Sequence, residues 1–264
     1  MISFSPIWAI VLRHARMWRR DLNLLLGTFY WPMLDILIWG FLGSWIQQSQ
    51  LVGFKNYEMV ALLGILLWQF VGRGCNIIMI AFNEELWSYN IVNLFSLPLR
   101  IRDWIIGIIL FYAFTMVLTT IFGIVVCALF YTIPMGEFIY TMLIFTPPLC
   151  LAGIWIGFTC LQIVVLLGKR GAELGFVVGW FFLPFSGAYY PVDVLPYWGQ
   201  MLSYCLPMSY VFKGMRSYLM YNQDPTPYLI KGYVLGIIYA IAAILLFVYC
   251  FNRTKQKGIA RLVD

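Results

Sequence analysis

The sequence predicts an all-α membrane protein with six transmembrane helices, and three observations carry that expectation. Apolar runs near or above the ~20 residues needed to cross a bilayer recur along the whole chain. Hydrophobic residues make up 62% of the sequence and charged residues only 11%, against about 25% charged in ordinary soluble domains. Basic residues gather at one set of run ends, as the positive-inside rule requires. The net charge of +6 therefore asks for a lipid bilayer as partner and for no nucleic acid.

Residues 1–22 form the first element. Phe4, Trp8, Val11, Ala15, Trp18 and Leu22 recur in steps of three and four, with Arg13, Arg16 and Arg20 on the other side. This is the pattern of a basic amphipathic helix lying in the headgroup plane. The arginines interrupt the first apolar stretch, so no cleavable signal peptide is visible. Spans are expected at about 23–47, 58–82, 104–131, 138–167, 173–190 and 228–251, with a short polar connection over 47–57. Pro147-Pro148 should kink or break the fourth span. The basic turn Gly168-Lys169-Arg170-Gly171 follows it.

Orientation follows from counting. With both termini cytoplasmic, twelve of the 17 basic residues lie inside: Arg13, Arg16, Arg19, Arg20, Arg100, Arg102, Lys169, Arg170, Arg253, Lys255, Lys257 and Arg261. Four lie outside, Lys55, Lys213, Arg216 and Lys231, and Arg73 falls within the membrane. Twelve against four selects this orientation. Segment 83–103 is then cytoplasmic and 184–227 external.

Two intervals are too apolar for solvated loops. In 83–103, Trp87, Ile91, Leu94 and Phe95 fall at i, i+4, i+7 and i+8, the stripe of an amphipathic helix. Glu84 and Glu85 stand in its first turn, where a helix dipole favours acids, and Pro98 ends it. The bland account is an interfacial helix on the headgroups; the sharper one is a docking element for a soluble partner. The interval 191–219 is apolar yet interrupted by Pro191, Pro196 and Pro207. Short helices dipping into the outer leaflet fit it, since irregular backbone at that depth must pack on protein or line a cavity.

Candidate polar sites are few. Gln69, Arg73 and Asn76 form one stripe on the second span, and Asp35 lies on the first at a similar depth of ~15 Å. A structural ion pair between Asp35 and Arg73 is the favoured reading, with a polar lining of a translocation path beside it. Gly171, Gly175 and Gly179 make overlapping small-xxx-small repeats, joined by Gly153 and Gly157 on the fourth span; they serve packing within one chain or a dimer seam. Five of the six cysteines lie in or beside apolar runs and read as buried thiols. No phosphate-loop motif is present, so the chain itself should not hydrolyse ATP. His14 is the only histidine, which disfavours a metal site, and no nucleophile elbow occurs.

The run Glu-Leu-Trp-Ser-Tyr-Asn-Ile-Val-Asn-Leu-Phe-Ser-Leu-Pro-Leu at 85–99 joins two later motifs. They are Ser186-Gly187-Ala188-Tyr189-Tyr190-Pro191-Val192-Asp193-Val194-Leu195-Pro196 and Leu206-Pro207-Met208-Ser209-Tyr210. With the basic amphipathic N-terminus, this order resembles the type-2 ABC exporter permeases, which move polysaccharides, drugs and lipids outward. The likeness spans nearly the whole chain, as one permease domain.

The resemblance implies a half-transporter in a bacterial inner membrane. It would pair as a homodimer and bind two copies of a cytosolic ATPase that holds the ATP and Mg. Residues 1–22 would be the connector helix and 84–97 the coupling helix, with Trp87, Ile91, Leu94 and Phe95 in its seat. Glu84 and Glu85 would meet basic residues of the ATPase. Residues 191–219 would be re-entrant helices closing the exit, with Tyr189, Tyr190, Pro191, Pro196 and Pro207 at the external gate. Polysaccharide exporters of this family commonly differ from the first-span pattern Phe29-Tyr30-Trp31-Pro32-Met33-Leu34-Asp35. An amphipathic drug-like or lipid-like substrate is therefore expected, with a glycan as alternative. An ion-coupled carrier and an intramembrane enzyme are the readings from other classes.

Overall fold

The computed structural model describes residues 4–48, 57–97 and 99–258, and every element among them is helical apart from connecting turns. The side chain of Phe4, together with Lys55, Pro98 and Arg261, lies outside the described residues. The order is α1 (Phe4–Arg20), α2 (Leu22–Gln48), α3 (Tyr57–Trp87), α4 (Ile91–Ser96), α5 (Ile101–Phe130), α6 (Met135–Leu167) and α7 (Arg170–Phe181). A single 3₁₀ turn (Val192–Val194) then precedes α8 (Tyr197–Cys205), α9 (Pro207–Tyr221) and α10 (Thr226–Lys257).

Among the described residues, five helices are long and apolar enough to cross a membrane: α2, α3, α5, α6 and α10. The expected fifth span over 173–190 is not one of them. Its helix, α7, has 12 residues, or about 18 Å against a hydrocarbon layer of about 30 Å. Beyond Phe181 the chain continues as turns to residue 190. Pro147-Pro148 does not break the fourth span either, since α6 continues through both prolines to Leu167.

At the centre stand α3 and α6. About 67% of the apolar window of each is buried within the chain, against 22% for α2. Glycine makes this contact close: a methyl on Gly153 would stand 2.7 Å from the Phe70 carbonyl oxygen and 3.1 Å from Gly74 Cα. Tyr112 of α5 ties the same place by donating its hydroxyl to that carbonyl at 2.6 Å. On the far side, α10 sends Phe247 and Phe251 inward, against Phe82, Phe158 and Phe95. Small-xxx-small spacing thus serves packing inside the chain. Gly171 abuts Ile163 and Val164 of α6, Gly175 meets Met79, and Gly179 meets the Cys75 thiol.

The basic helix α1 packs along α5, but through a face rotated from the expected stripe. Ile7, Ile10, Val11 and His14 are buried, whereas Trp8 is 60% exposed. The reason is Gly107 of α5, whose bare Cα admits Ile10 at a distance a methyl would obstruct.

Candidate functional site

One face of α3 carries Gln69, Arg73, Asn76 and Glu84, which together cover about 22 Å of helix. All four line a cavity of about 460 Å³, together with Asp35 of α2 and His14 of α1. Six further lining residues are aromatic: Trp18, Trp31, Trp68, Phe111, Trp180 and Tyr189. Trp31 and Trp180 are 61% and 50% exposed, so the cavity opens at the α2 and α7 edge.

The ion pair expected between Asp35 and Arg73 is not formed among the described residues. Asp35 instead accepts a hydrogen bond from Gln69 Nε2 at 2.9 Å. Arg73 Nη2 donates to the carbonyls of Gly27 and Thr28, at 2.6 and 2.8 Å. Pro32 supplies the reason. It lies inside α2 and has no N–H to give the carbonyl four residues back, which is that of Thr28. A backbone acceptor left open at membrane depth costs several kcal/mol, and the guanidinium fills the place. Thr28 is held further by its hydroxyl, which accepts from Trp18 Nε1 at 2.8 Å and donates to Leu24 O at 2.7 Å. The stripe and Asp35 therefore share one cavity without forming a pair.

The segment expected to be one helix over 84–97 is two. α3 continues to Trp87, and a turn with Tyr89 in the left-handed region (φ 57°) reverses the chain into the six-residue α4. That turn separates the stripe. Trp87 is 49% exposed, whereas Ile91, Leu94 and Phe95 are buried, with the Phe95 and Phe251 rings tilted together and their centres 4.7 Å apart. Ile91, Leu94 and Phe95 thus belong to this chain's own core. Glu85 is likewise engaged internally, 2% exposed, ion-paired to Arg13 at 2.6 Å and accepting from Asn90 Nδ2 at 2.7 Å. Its carboxylate fastens α1 to α3 and to the start of α4. Outward from this corner point Trp87, Tyr89, Val92 and Leu97. Lys169, in the α6–α7 turn, places its ammonium 3.6 Å from the Tyr89 ring centre. Glu84 lines the cavity, and its carboxylate has no hydrogen-bond or ion-pair partner among the described residues.

At the opposite end, Tyr189 lines the cavity and stacks on Trp39 of α2 at 4.9 Å. Tyr190 donates its hydroxyl to Pro184 O at 2.9 Å. Pro191 precedes the 3₁₀ turn, Pro196 caps α8 and Pro207 opens α9, each where a missing N–H costs nothing. Leu206 is buried between the two helices, while Tyr197, Trp198 and Met201 of α8 are exposed.

Sequence reasoning missed two residues here. His14 is buried against Phe111, with ring centres 5.7 Å apart, and burial pushes its pKa down to about 4, with the charge of Arg13 adding to the effect. Its spacing from Ile7, Ile10 and Val11 was the available signal. Arg216, counted as solvent-side, is buried in α9 and donates to Ala188 O at 2.9 Å. It stands among Phe212, Met215 and Leu219, on the apolar face of its helix. The sequence matches no protein-family model, and no curated protein is similar enough to count as a match.

Proposed function

We propose that this chain is the membrane subunit of an ATP-driven exporter that moves an amphipathic molecule outward, powered by a separate cytosolic ATPase. The observation that carries this reading is the α3–α4–α5 corner. Its inner face is locked into the bundle by Ile91, Leu94, Phe95 and Glu85, and its outer face offers Trp87, Tyr89, Val92 and Leu97. An element so fixed passes a push on its outer face directly to α3, which walls the cavity; two-state switching of this kind needs such a rigid lever.

On this reading both termini are cytoplasmic, in a bacterial inner membrane. The sixth crossing is made by α7 and the turns to residue 190, and α8 and α9 re-enter from outside. Support comes from contacts at both ends: Lys169 touches the Tyr89 turn, and Ala188 O lies against Gly64 near the start of α3. Two copies pair through the exposed apolar side of α2, and the ATPase subunits hold ATP and Mg.

A second reading, an ion-coupled carrier, draws on Asp35, which faces the cavity with no cationic partner within salt-bridge distance among the described residues. The deciding test is ATP turnover by the candidate ATPase with and without the reconstituted permease, beside Trp87→Ala and Tyr89→Ala. Stimulation that the substitutions diminish, with the protein still folded, supports the exporter. An ATPase that neither binds nor responds removes it, and uptake abolished by Asp35→Asn without nucleotide would favour the carrier.

A further inference from the structure

The cavity combines an aromatic wall with an uneven balance of charge. Apart from His14, its acidic and basic lining groups are Asp35, Arg73 and Glu84. Arg73 is already engaged: Nη2 serves the Gly27 and Thr28 carbonyls, and Nε is sealed from solvent without a partner. It acts as a latch between α2 and α3 and offers little to a ligand. The two carboxylates differ from it. Glu84 has no side-chain partner among the described residues, and Asp35 has one oxygen bonded to Gln69 and the other without a hydrogen-bond donor. Their acceptor capacity faces the cavity from opposite ends. His14, buried among apolar neighbours beside Phe111, adds no positive charge near neutral pH.

The same cavity is lined by the indoles of Trp18, Trp31, Trp68 and Trp180. Indole faces attract cations through the ring quadrupole, and more strongly where water is excluded. They also give an apolar body a surface to lie on. An anion would meet two carboxylates and a guanidinium whose Nη2 is already committed to backbone carbonyls. A neutral amphiphile would leave both carboxylates without a cation in direct contact.

From this arrangement we propose that the cavity binds lipophilic organic cations, with an ammonium-like centre held by Asp35 or Glu84 and an apolar body against the tryptophans. The assignment rests on the cavity being the transport site and names the class of molecule that site takes.

The test uses two ions of nearly the same size and apolar surface and opposite charge, tetraphenylphosphonium and tetraphenylborate. Binding of each is measured by equilibrium dialysis to the full chain in lipid nanodiscs, less the uptake by empty nanodiscs of the same lipid, with no ATPase present. Tetraphenylphosphonium is expected to bind at least tenfold more tightly. Asp35→Asn or Glu84→Gln alone is expected to weaken it less than the two together, and the double variant is expected to weaken it at least tenfold while leaving tetraphenylborate unchanged or improved. Neither substitution removes volume, and the asparagine still accepts from Gln69, so folding is retained; a thermal unfolding profile verifies it. Equal binding of the two ions, no binding of either, or a preference that survives the double variant overturns the assignment. Because nucleotide and ATPase are absent, these results stand apart from the exporter test. Cation binding with an unresponsive ATPase leaves the site and removes the exporter, and the converse removes the cation class alone.

Discussion

Replacing Arg73 by glutamine tests the role drawn for Pro32, and a double-mutant cycle makes that test quantitative. Arg73 Nη2 donates two charge-assisted hydrogen bonds, to Gly27 O and Thr28 O. Such bonds contribute roughly 1.5–3 kcal/mol each, partly offset by the cost of keeping a guanidinium buried. A net loss of about 2–3 kcal/mol is expected for Arg73→Gln. At roughly 2–4 °C per kcal/mol for a chain of this size, the unfolding midpoint should fall by about 8 °C. Pro32→Ala restores an N–H that can serve Thr28 O from within α2. In that background the same Arg73→Gln should cost about 1 kcal/mol less, a coupling well above the scatter expected of independent sites. The assay is a thermal ramp followed by tryptophan fluorescence in one detergent for wild type, both singles and the double. Strictly additive losses would mean that Arg73 does not act through the open Thr28 carbonyl, and the explanation for the missing Asp35 pair would fall with it.

Other outcomes follow from neighbouring contacts. Gly153→Val should destabilise by at least about 3 kcal/mol, because its side chain would collide with Phe70 O and Gly74 at the α3–α6 contact; poor expression or an early unfolding midpoint would show it, and a wild-type profile would refute the close approach. Asn83 is fully buried with both amide atoms unpartnered among the described residues, so Asn83→Leu should raise the unfolding midpoint, by about 1–2 kcal/mol of stability. His14 is held neutral in the fold, its pKa lowered from 6.5 to about 4. The unfolded chain therefore binds the extra proton over that interval. Stability is complete above pH 6.5 and declines as the pH falls toward 4, by up to about 3 kcal/mol. Unfolding midpoints of His14→Phe across the same range should depend less on pH than those of wild type. Glu85→Gln should loosen α1, raising the protease sensitivity of its arginines, with Arg13→Ala adding little on top because the two residues form one ion pair.

Much of the fold was legible because the signals were long. Five apolar runs with few charges each became a long helix, and composition alone carries that message. The run at 173–190 misled because apolar length does not report helix length; the glycines that let α7 approach α6 and α3 also make a poor helix, and its backbone turns at Phe182. Over 84–97 the periodicity was genuine, but nothing in residue type announces a left-handed Tyr89. One such residue rotates everything after it, so Ile91, Leu94 and Phe95 turned inward while Trp87 stayed out. At the cavity, depth placed Asp35 and Arg73 at one level, and opposite charge made a pair attractive. The carbonyl released by Pro32 lies in the backbone, where a reading of side chains does not look. Arg13 with Glu85 was harder still, because a contact between residues 72 positions apart depends on how α1 lies across the bundle.

The shortness of α7 bears on the order in which the chain is made. A segment of 12 residues gives the insertion machinery too little greasy length to release sideways into lipid. The turns after it carry peptide groups that hydrocarbon does not tolerate. On the six-crossing reading, α7 therefore waits for company: α3 and α6 must already stand together, with Met79, Cys75 and Ile163 ready to receive its glycines. Synthesis delivers both partners first, so the ribosome's schedule and the packing agree. A truncation ending after α7 should integrate as a hairpin-dependent passenger, and lesions at the α3–α6 seam should strand it on the wrong side of the membrane.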